Sequence, residues 1–267
     1  VALYEEALKD GSLSIERRAA LHNDRGVAYW RANQIKAAIE DFNRAVTLLP
    51  EGSAAYNNRG SVLLELKLWP DAIKDFDRAI LLTPGYAAAY ANRATAYLQS
   101  GRAAEAARDF THAAELAPHN AGAFIGRGRA RLAQARPFGA LRDFSRALAI
   151  DAKDIANLRY RAQAYQDVDN SAEAIGDLTR ALAIEPTSAD LHLARGRAYL
   201  AMKNTDAALK DLSRAIELDA KLAPAFASRG LAKARLSQYD DALVDLARAI
   251  ELDPRYISAY AYRAWTY

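Results

Sequence analysis

The chain has 267 residues, 51% of them hydrophobic and 26% charged, with a formal net charge of +3; its aliphatic content is too high for a disordered chain. Cysteine is absent, which excludes disulfide frameworks, thiolate zinc sites and cysteine nucleophiles. No apolar run approaches the roughly 18–20 residues needed to cross a bilayer, so no membrane span is expected.

The chain opens Val1-Ala2-Leu3-Tyr4-Glu5-Glu6, with acids where a secretory leader carries bases, and reads as a mature or trimmed soluble segment. Tyr4-Glu5-Glu6-Ala7-Leu8 has the spacing of Phe42-Asn43-Arg44-Ala45-Val46. Residues 1–18 are therefore read as the tail of a preceding helix followed by a longer loop. That loop, Gly11-Ser12-Leu13-Ser14, ends with a serine placed to cap the next helix.

From Ala19 onward the chain repeats itself. Arginine followed by glycine or alanine recurs at Arg25, Arg59, Arg93, Arg127, Arg161, Arg195, Arg229 and Arg263, every 34 residues without insertion or deletion. Aspartate followed by an apolar residue keeps the same period at Asp41, Asp75, Asp109, Asp143, Asp177, Asp211 and Asp245. Seven complete units result, 19–52, 53–86, 87–120, 121–154, 155–188, 189–222 and 223–256, and residues 257–267 begin an eighth or form a cap.

Each unit reads as two amphipathic helices. The second helix of the first unit shows the i, i+3, i+4, i+7 stripe in Ala38, Ile39, Phe42, Ala45 and Val46. Asn33, Gly101, Asn170 and Asn204 mark the turn between the helices. Pro70 and Pro137 stand where the second helix begins, and Pro50, Pro84, Pro118, Pro186 and Pro254 where it ends. Two alanine columns, starting at Ala38 and Ala45, and a glycine column at Gly26, Gly60, Gly128, Gly196 and Gly230 let neighbouring helices approach closely.

The unit 53–86 carries Tyr56, Gly60, Leu63, Ala72, Phe76, Ala79 and Pro84, and the unit 87–120 carries Tyr90, Ala94, Tyr97, Ala106, Phe110, Ala113 and Pro118. This large–small–aromatic–alanine–aromatic–alanine–proline pattern resembles the tetratricopeptide repeat, over nearly the whole chain. The departures are Leu63, Arg131 and Lys233 at the eleventh place and Ala152 and Ala220 for proline. Pentatricopeptide arrays favour a 35-residue period and lack the alanine–aromatic–alanine spacing. The resemblance implies an all-α, right-handed superhelical solenoid of antiparallel helix pairs, one continuous domain, and a bacterial-type array. Absent cysteine fits bacterial periplasm and cytoplasm equally.

Typical repeats of the family have leucine at the seventh place, which here is always arginine. A second arginine column fills the twenty-sixth place at Arg44, Arg78, Arg146, Arg180, Arg214 and Arg248, with His112 as the exception. Together with the aspartates these columns are read as a structural Arg–Asp–Arg ladder, since the guanidinium fork matches a carboxylate. They contain 14 of the 36 basic and 7 of the 33 acidic residues. The basic excess is then assigned to the ladder, and nucleic-acid binding is not expected. His22 and His192 sit at the fourth place, where aromatics stand elsewhere, and are read as packing residues. Neither a metal-ligand spacing nor a phosphate-binding glycine loop occurs, so no catalytic residue, metal or cofactor is assigned and the chain is not expected to be an enzyme.

The resemblance further implies that leading helices line a concave groove that holds a segment of another protein. Its second, fifth, sixth, ninth, twelfth and thirteenth places supply Asn23, Asn57, Asn58, Ser61, Asn92 and Thr95, then Arg129, Arg159, Tyr160, Gln163 and Arg197, then Leu231, Arg235, Tyr262 and Trp265. Amides suit the backbone of an extended peptide, and the three arginines suit a partner carrying acids. The contrary reading pairs those arginines with Asp167 or Asp190. The family's chaperone carboxylate clamp needs lysine and asparagine at the fifth and ninth places. Here they read Asn23/Val27, Asn57/Ser61 and Ala91/Thr95, which does not support it. The function expected is a non-catalytic scaffold for protein or peptide. The alternative is an assembly component that self-associates or docks through uncapped ends, burying Trp265 and Tyr267.

Overall fold

The computed structural model describes residues 1–267, and every regular element in it is an α-helix. A short α1 (Ala2–Ala7) precedes α2 (Ile15–Arg31) and α3 (Ile35–Leu48), then α4 (Ser53–Glu65) and α5 (Trp69–Leu82), α6 (Ala87–Gln99) and α7 (Ala103–Leu116), and α8 (Ala121–Ala133). After these come α9 (Pro137–Ile150), α10 (Ile155–Gln166) and α11 (Ser171–Ile184), α12 (Ala189–Ala201) and α13 (Thr205–Leu218), α14 (Ala223–Arg235) and α15 (Tyr239–Leu252), and α16 (Ile257–Thr266). The chain divides into two compact units, Val1–Ala135 and Arg136–Tyr267. Within each, a helix packs mainly on its neighbours in sequence, the arrangement a short period without long-range insertions produces.

The turn from leading to second helix has one geometry throughout. Asn33, Lys67, Gly101, Ala135, Asp169, Lys203 and Ser237 all have φ between 54° and 80°, and they recur every 34 residues. In these turns the next amide donates to a carbonyl five residues back, as in Gln34 to Tyr29 at 2.8 Å and Arg102 to Tyr97 at 2.8 Å, the helix-ending bond that a left-handed residue makes possible. Asn33 and Gly101 therefore fill the place the sequence assigns them. Asn170 and Asn204 sit one residue later and instead cap α11 and α13, accepting from the amides of Glu173 and Ala207. Ser14 caps α2 as expected, accepting from the Arg17 amide.

The second helices end on a residue at φ between −126° and −140°, Leu49, Thr83, Ala117, Asp151, Glu185, Asp219 and Asp253. A following proline disfavours helical backbone at this residue. Asp151 and Asp219 adopt it before Ala152 and Ala220, so packing of the repeat enforces the same stop without proline.

The alanine columns are the inside of the repeats: Ala38, Ala72, Ala106, Ala140, Ala174, Ala208 and Ala242 are completely buried. Phe42 and Phe76, and Leu212 and Leu246 in the other unit, lie against the glycine column. A Cβ on Gly26, Gly60, Gly196 or Gly230 would come within 2.7–2.8 Å of them. Where Ala94 replaces glycine, the ring of Phe110 lies instead over Gly126 of α8, in the space a Cβ there would need.

Candidate functional site

The ladder is the most regular polar feature. In six repeats the arginine grips the aspartate of its own repeat through Nε and Nη2, at 2.6–2.9 Å: Arg25–Asp41, Arg59–Asp75, Arg93–Asp109, Arg161–Asp177, Arg195–Asp211 and Arg229–Asp245. These aspartates are buried. Donating to the carboxylate keeps the guanidinium of Arg25, Arg59, Arg161 and Arg195 more firmly protonated than usual. Burial opposes ionisation of Asp41, but hydrogen bonds from Arg25 and His22 outweigh it and hold its carboxyl below the ordinary range.

The free Nη1 of the same arginine reaches back to the preceding repeat: Arg59 to Asn43, Arg93 to Asp77, Arg127 to Thr111, Arg161 to Ser145, Arg195 to Thr179 and Arg229 to Ser213, at 2.6–3.4 Å. One side chain thus ties two repeats. The outer arginines take less part than the sequence suggests. Arg44 and Arg180 stand 3.7 and 3.5 Å from their aspartates, while Arg78 turns to Glu51, Arg214 to Glu217 and Arg248 to Glu251. An exposed guanidinium gains more from water and a flexible acid than from a carboxylate already held twice. These arginines belong to the surface, so the basic excess is not confined to the ladder. His22 and His192 are corrected too. Nδ1 of each lies 2.9 or 3.0 Å from Asp41 or Asp211, so both are ladder members and not only packing residues. Lys233 likewise reaches Asp245 at 2.9 Å.

The expected groove residues divide into engaged and free. In the first unit Asn58 donates to Asn23 at 2.9 Å, and Asn92 donates to Asn57 at 3.0 Å and to Ser61 at 3.2 Å. Asn57 is itself buried. These amides hold adjacent leading helices together. Arg129 is exposed on α8.

In the second unit Arg197 is occupied, donating to the hydroxyls of Ser228 at 3.1 Å and Tyr256 at 2.7 Å. Gln163 donates to Asp167 at 2.9 Å, and neither Arg159 nor Arg197 pairs with Asp167 or Asp190. Tyr160 stacks on Phe144, with ring centres 5.9 Å apart. Arg159 is exposed and makes no hydrogen bond or ion pair. With Ala156, Tyr160, Gln163, Gln166, Leu178 and Ala194 it lines a pocket of about 290 Å³ between α10, α11 and α12. The pocket exists because the sixth place, tyrosine in α10, is alanine in α12.

Tetratricopeptide repeat sequences match residues 1–52, 23–90, 87–120 and 165–234, which together take in most of the chain. The chain belongs to the tetratricopeptide repeat (TPR) family. Comparison with curated proteins yields no match. Among solved structures, a TPR protein from Parabacteroides merdae superposes with a TM-score of 0.68 at 17% identity, over 93% of this chain and 98% of that one. The C-terminal part of a TPR repeat-containing protein from Cytophaga hutchinsonii gives 0.72 at 17%, over 90% and 98%. A chain of the APC/C hetero-tetramer Cut9–Hcn1 gives 0.70 at 18%, over 99% of this chain and 51% of that chain. At such identities the likeness is one of fold. TPR proteins are in general interaction scaffolds without catalysis, with proteins or peptides as partners. No helix of this TPR chain is long and apolar enough to cross a membrane.

Proposed function

We propose that this TPR protein is a non-catalytic scaffold that holds an extended partner segment along its leading helices, and that the pocket beneath Arg159 selects an acidic side chain from that segment. The observation that carries this reading is the state of Arg159. Six ladder arginines are committed to the aspartates of their repeats, Arg197 is bound by two hydroxyls, and Arg159 alone among the expected cations of its unit stands exposed and unpaired at a pocket. Its floor of Ala162, Leu178 and Ala194 suits the methylenes of a glutamate, whose carboxylate would meet the guanidinium and the amide of Gln166. Asn57, Asn58 and Asn92 set the spacing of the first unit's leading helices. Arg129 adds a cation on α8, and Tyr160 and Gln163 shape one pocket wall.

The test is fluorescence anisotropy with a labelled peptide that alternates glutamate and alanine. Wild type should bind it, Arg159→Glu should not, and a lysine–alanine peptide should reverse that order. Equal affinity of wild type and variant for the acidic peptide would refute the pocket. A second reading is favoured by the apolar surface of α16, where Ile257, Trp265 and Tyr267 are 81%, 61% and 87% exposed: docking of that surface on another copy or a larger assembly. A mass that rises with concentration in light scattering, and no longer does so in Trp265→Ser, would support it.

A further inference from the structure

The last residue of each repeat caps the next leading helix and recurs as Gly52, Tyr86, Asn120, Asp154, Ser188, Leu222 and Tyr256. All seven share one backbone conformation, φ between −66° and −89° and ψ between 80° and 109°. Two of them cap with the side chain: Asn120 accepts from the Gly122 amide and Asp154 from the Asn157 amide. Three fill space instead. Leu222 packs against the cluster of Leu193, Leu200 and Ala225. Tyr256 packs on Phe226 and Ala227, with its hydroxyl held by Arg197 at 2.7 Å. Tyr86 is half-buried, and desolvation pushes its phenol pKa up.

Gly52 does neither. It gives α4 no side-chain cap, and beside it lies an open slot of about 160 Å³ lined by Ala20, Asn23, Ala45, Leu49 and Ala55, among others. The vacancy corresponds to the side chain that Tyr86, Leu222 and Tyr256 supply at the same place elsewhere. Its size is that of a benzene-binding cavity, on the order of 150 Å³. One polar group lines it, the Asn23 amide, whose Oδ1 accepts from Asn58 and retains a second lone pair for a hydroxyl. One charged group lines it, Glu16. That carboxylate is exposed and has no cation paired with it, and hydrogen bonds from its own amide and from Ser14 hold it ionised.

We propose that this slot is an anchor site for a tyrosine side chain of a partner protein, on a segment whose neighbouring basic residue meets Glu16. That a polypeptide brings the phenol rests on the scaffold reading above; that the slot takes a phenol does not. The protein supplies the precedent itself, since two of its three space-filling residues at this place are tyrosines. The charge follows from Glu16, which would repel an acidic neighbour and attract a basic one.

The test uses three phenols that differ in charge, tyramine, p-cresol and p-hydroxyphenylacetate, titrated into the whole chain and followed by the NMR signals of Ala20, Ala45 and Ala55. All three alanines should shift, and tyramine should bind about two- to fivefold more tightly than p-cresol, the size of an exposed charge pair, with p-hydroxyphenylacetate weakest. Glu16→Gln should make the three equal. The blocking variant is Gly52→Tyr with Leu49→Thr, which recreates the Thr83–Tyr86 pair. The second change makes room for the ring, because a Cβ on Gly52 would already be in van der Waals contact with Leu49 Cδ2 at 3.4 Å; its nearest neighbour, the Leu49 carbonyl oxygen at 3.2 Å, belongs to the backbone conformation that Tyr86 shares. It should lose all three ligands and melt higher than wild type. No shift at these alanines, undiminished binding by the blocked variant, or a lower melting temperature would overturn the slot. Equal affinity of the three phenols for wild type would overturn the basic neighbour. Failure of the acidic-peptide test would leave these outcomes unchanged, because Arg159 and Gly52 lie in different units.

Discussion

Five ladder arginines, Arg59, Arg93, Arg161, Arg195 and Arg229, use one planar fork for two purposes, holding the aspartate of their own repeat and a polar side chain of the repeat before. Lysine has no second arm for this, which is the physical reason for arginine at this place. Substituting Asp177 by alanine removes both acceptors of Arg161 Nε and Nη2. The expected loss is about 3 kcal/mol, near the low end for a broken buried pair, because Arg161 keeps some access to water. Urea unfolding measures it, and an unchanged midpoint would refute the structural role. Acid has a matching effect. The Asp41 carboxyl is depressed in the folded state, so its contribution is complete above the unfolded value near 4 and is lost as pH falls through the folded one. Melting temperature should therefore drop on the acid side of about pH 4, and Asp41→Asn should be less stable at neutral pH with a flatter acid limb. Asp177 and Asp41 are legible in the sequence as ladder members. The second arm of the arginine is not, since its partners Asn43, Asp77, Thr111, Ser145, Thr179 and Ser213 are of four different residue types.

At the scale of the helix hairpin, the left-handed turn residue is as regular as the ladder and far less visible. Asn33 and Gly101 announce it, whereas Lys67, Ala135, Lys203 and Ser237 adopt positive φ only because the helices on either side require it. Ala135→Gly should relieve that strain and stabilise the protein by about 1 kcal/mol, read as a higher melting temperature. Glycine within a helix has the opposite sign in two places. Gly176 has open space where a Cβ would stand, so Gly176→Ala should stabilise by roughly 0.5–1 kcal/mol through helix propensity. Gly126→Ala would drive a methyl into the Phe110 ring and should destabilise by about 1–3 kcal/mol. Calorimetry of the two variants side by side decides it; the same sign for both would show that packing over Gly126 is not as described. The sequence presents Gly126 as an unremarkable part of Gly-Arg-Gly, because its role depends on Ala94 displacing a ring one repeat away.

For the molecule as a whole, contacts confined to neighbouring repeats make stability local. Asp177→Ala should therefore speed amide hydrogen exchange in α10 to α13 and leave α4 to α6 protected; uniform acceleration across the chain would indicate a single cooperative unit instead. The same locality lets one place in the repeat be a cap, a space-filling side chain or an open slot without disturbing the others, so open pockets arise where a column skips a residue, as at Ala194 and Gly52.

The amino-acid sequence by itself determined the 34-residue period, the helix pair, the ladder aspartates and the stops after each second helix, because those depend on spacing along one chain and on residues whose backbone or fork admits few alternatives. Only the tertiary structure decided which polar groups are still free. Asn57, Asn92 and Arg197 look like groove residues in one dimension, yet each is bonded to a residue 31 or more positions away. Arg159 was left unpaired and Gly52 left beside an open slot by the same cause. Whether a side chain is engaged or a space is filled depends on what the adjacent repeat places opposite it, and spacing within a single repeat does not carry that information.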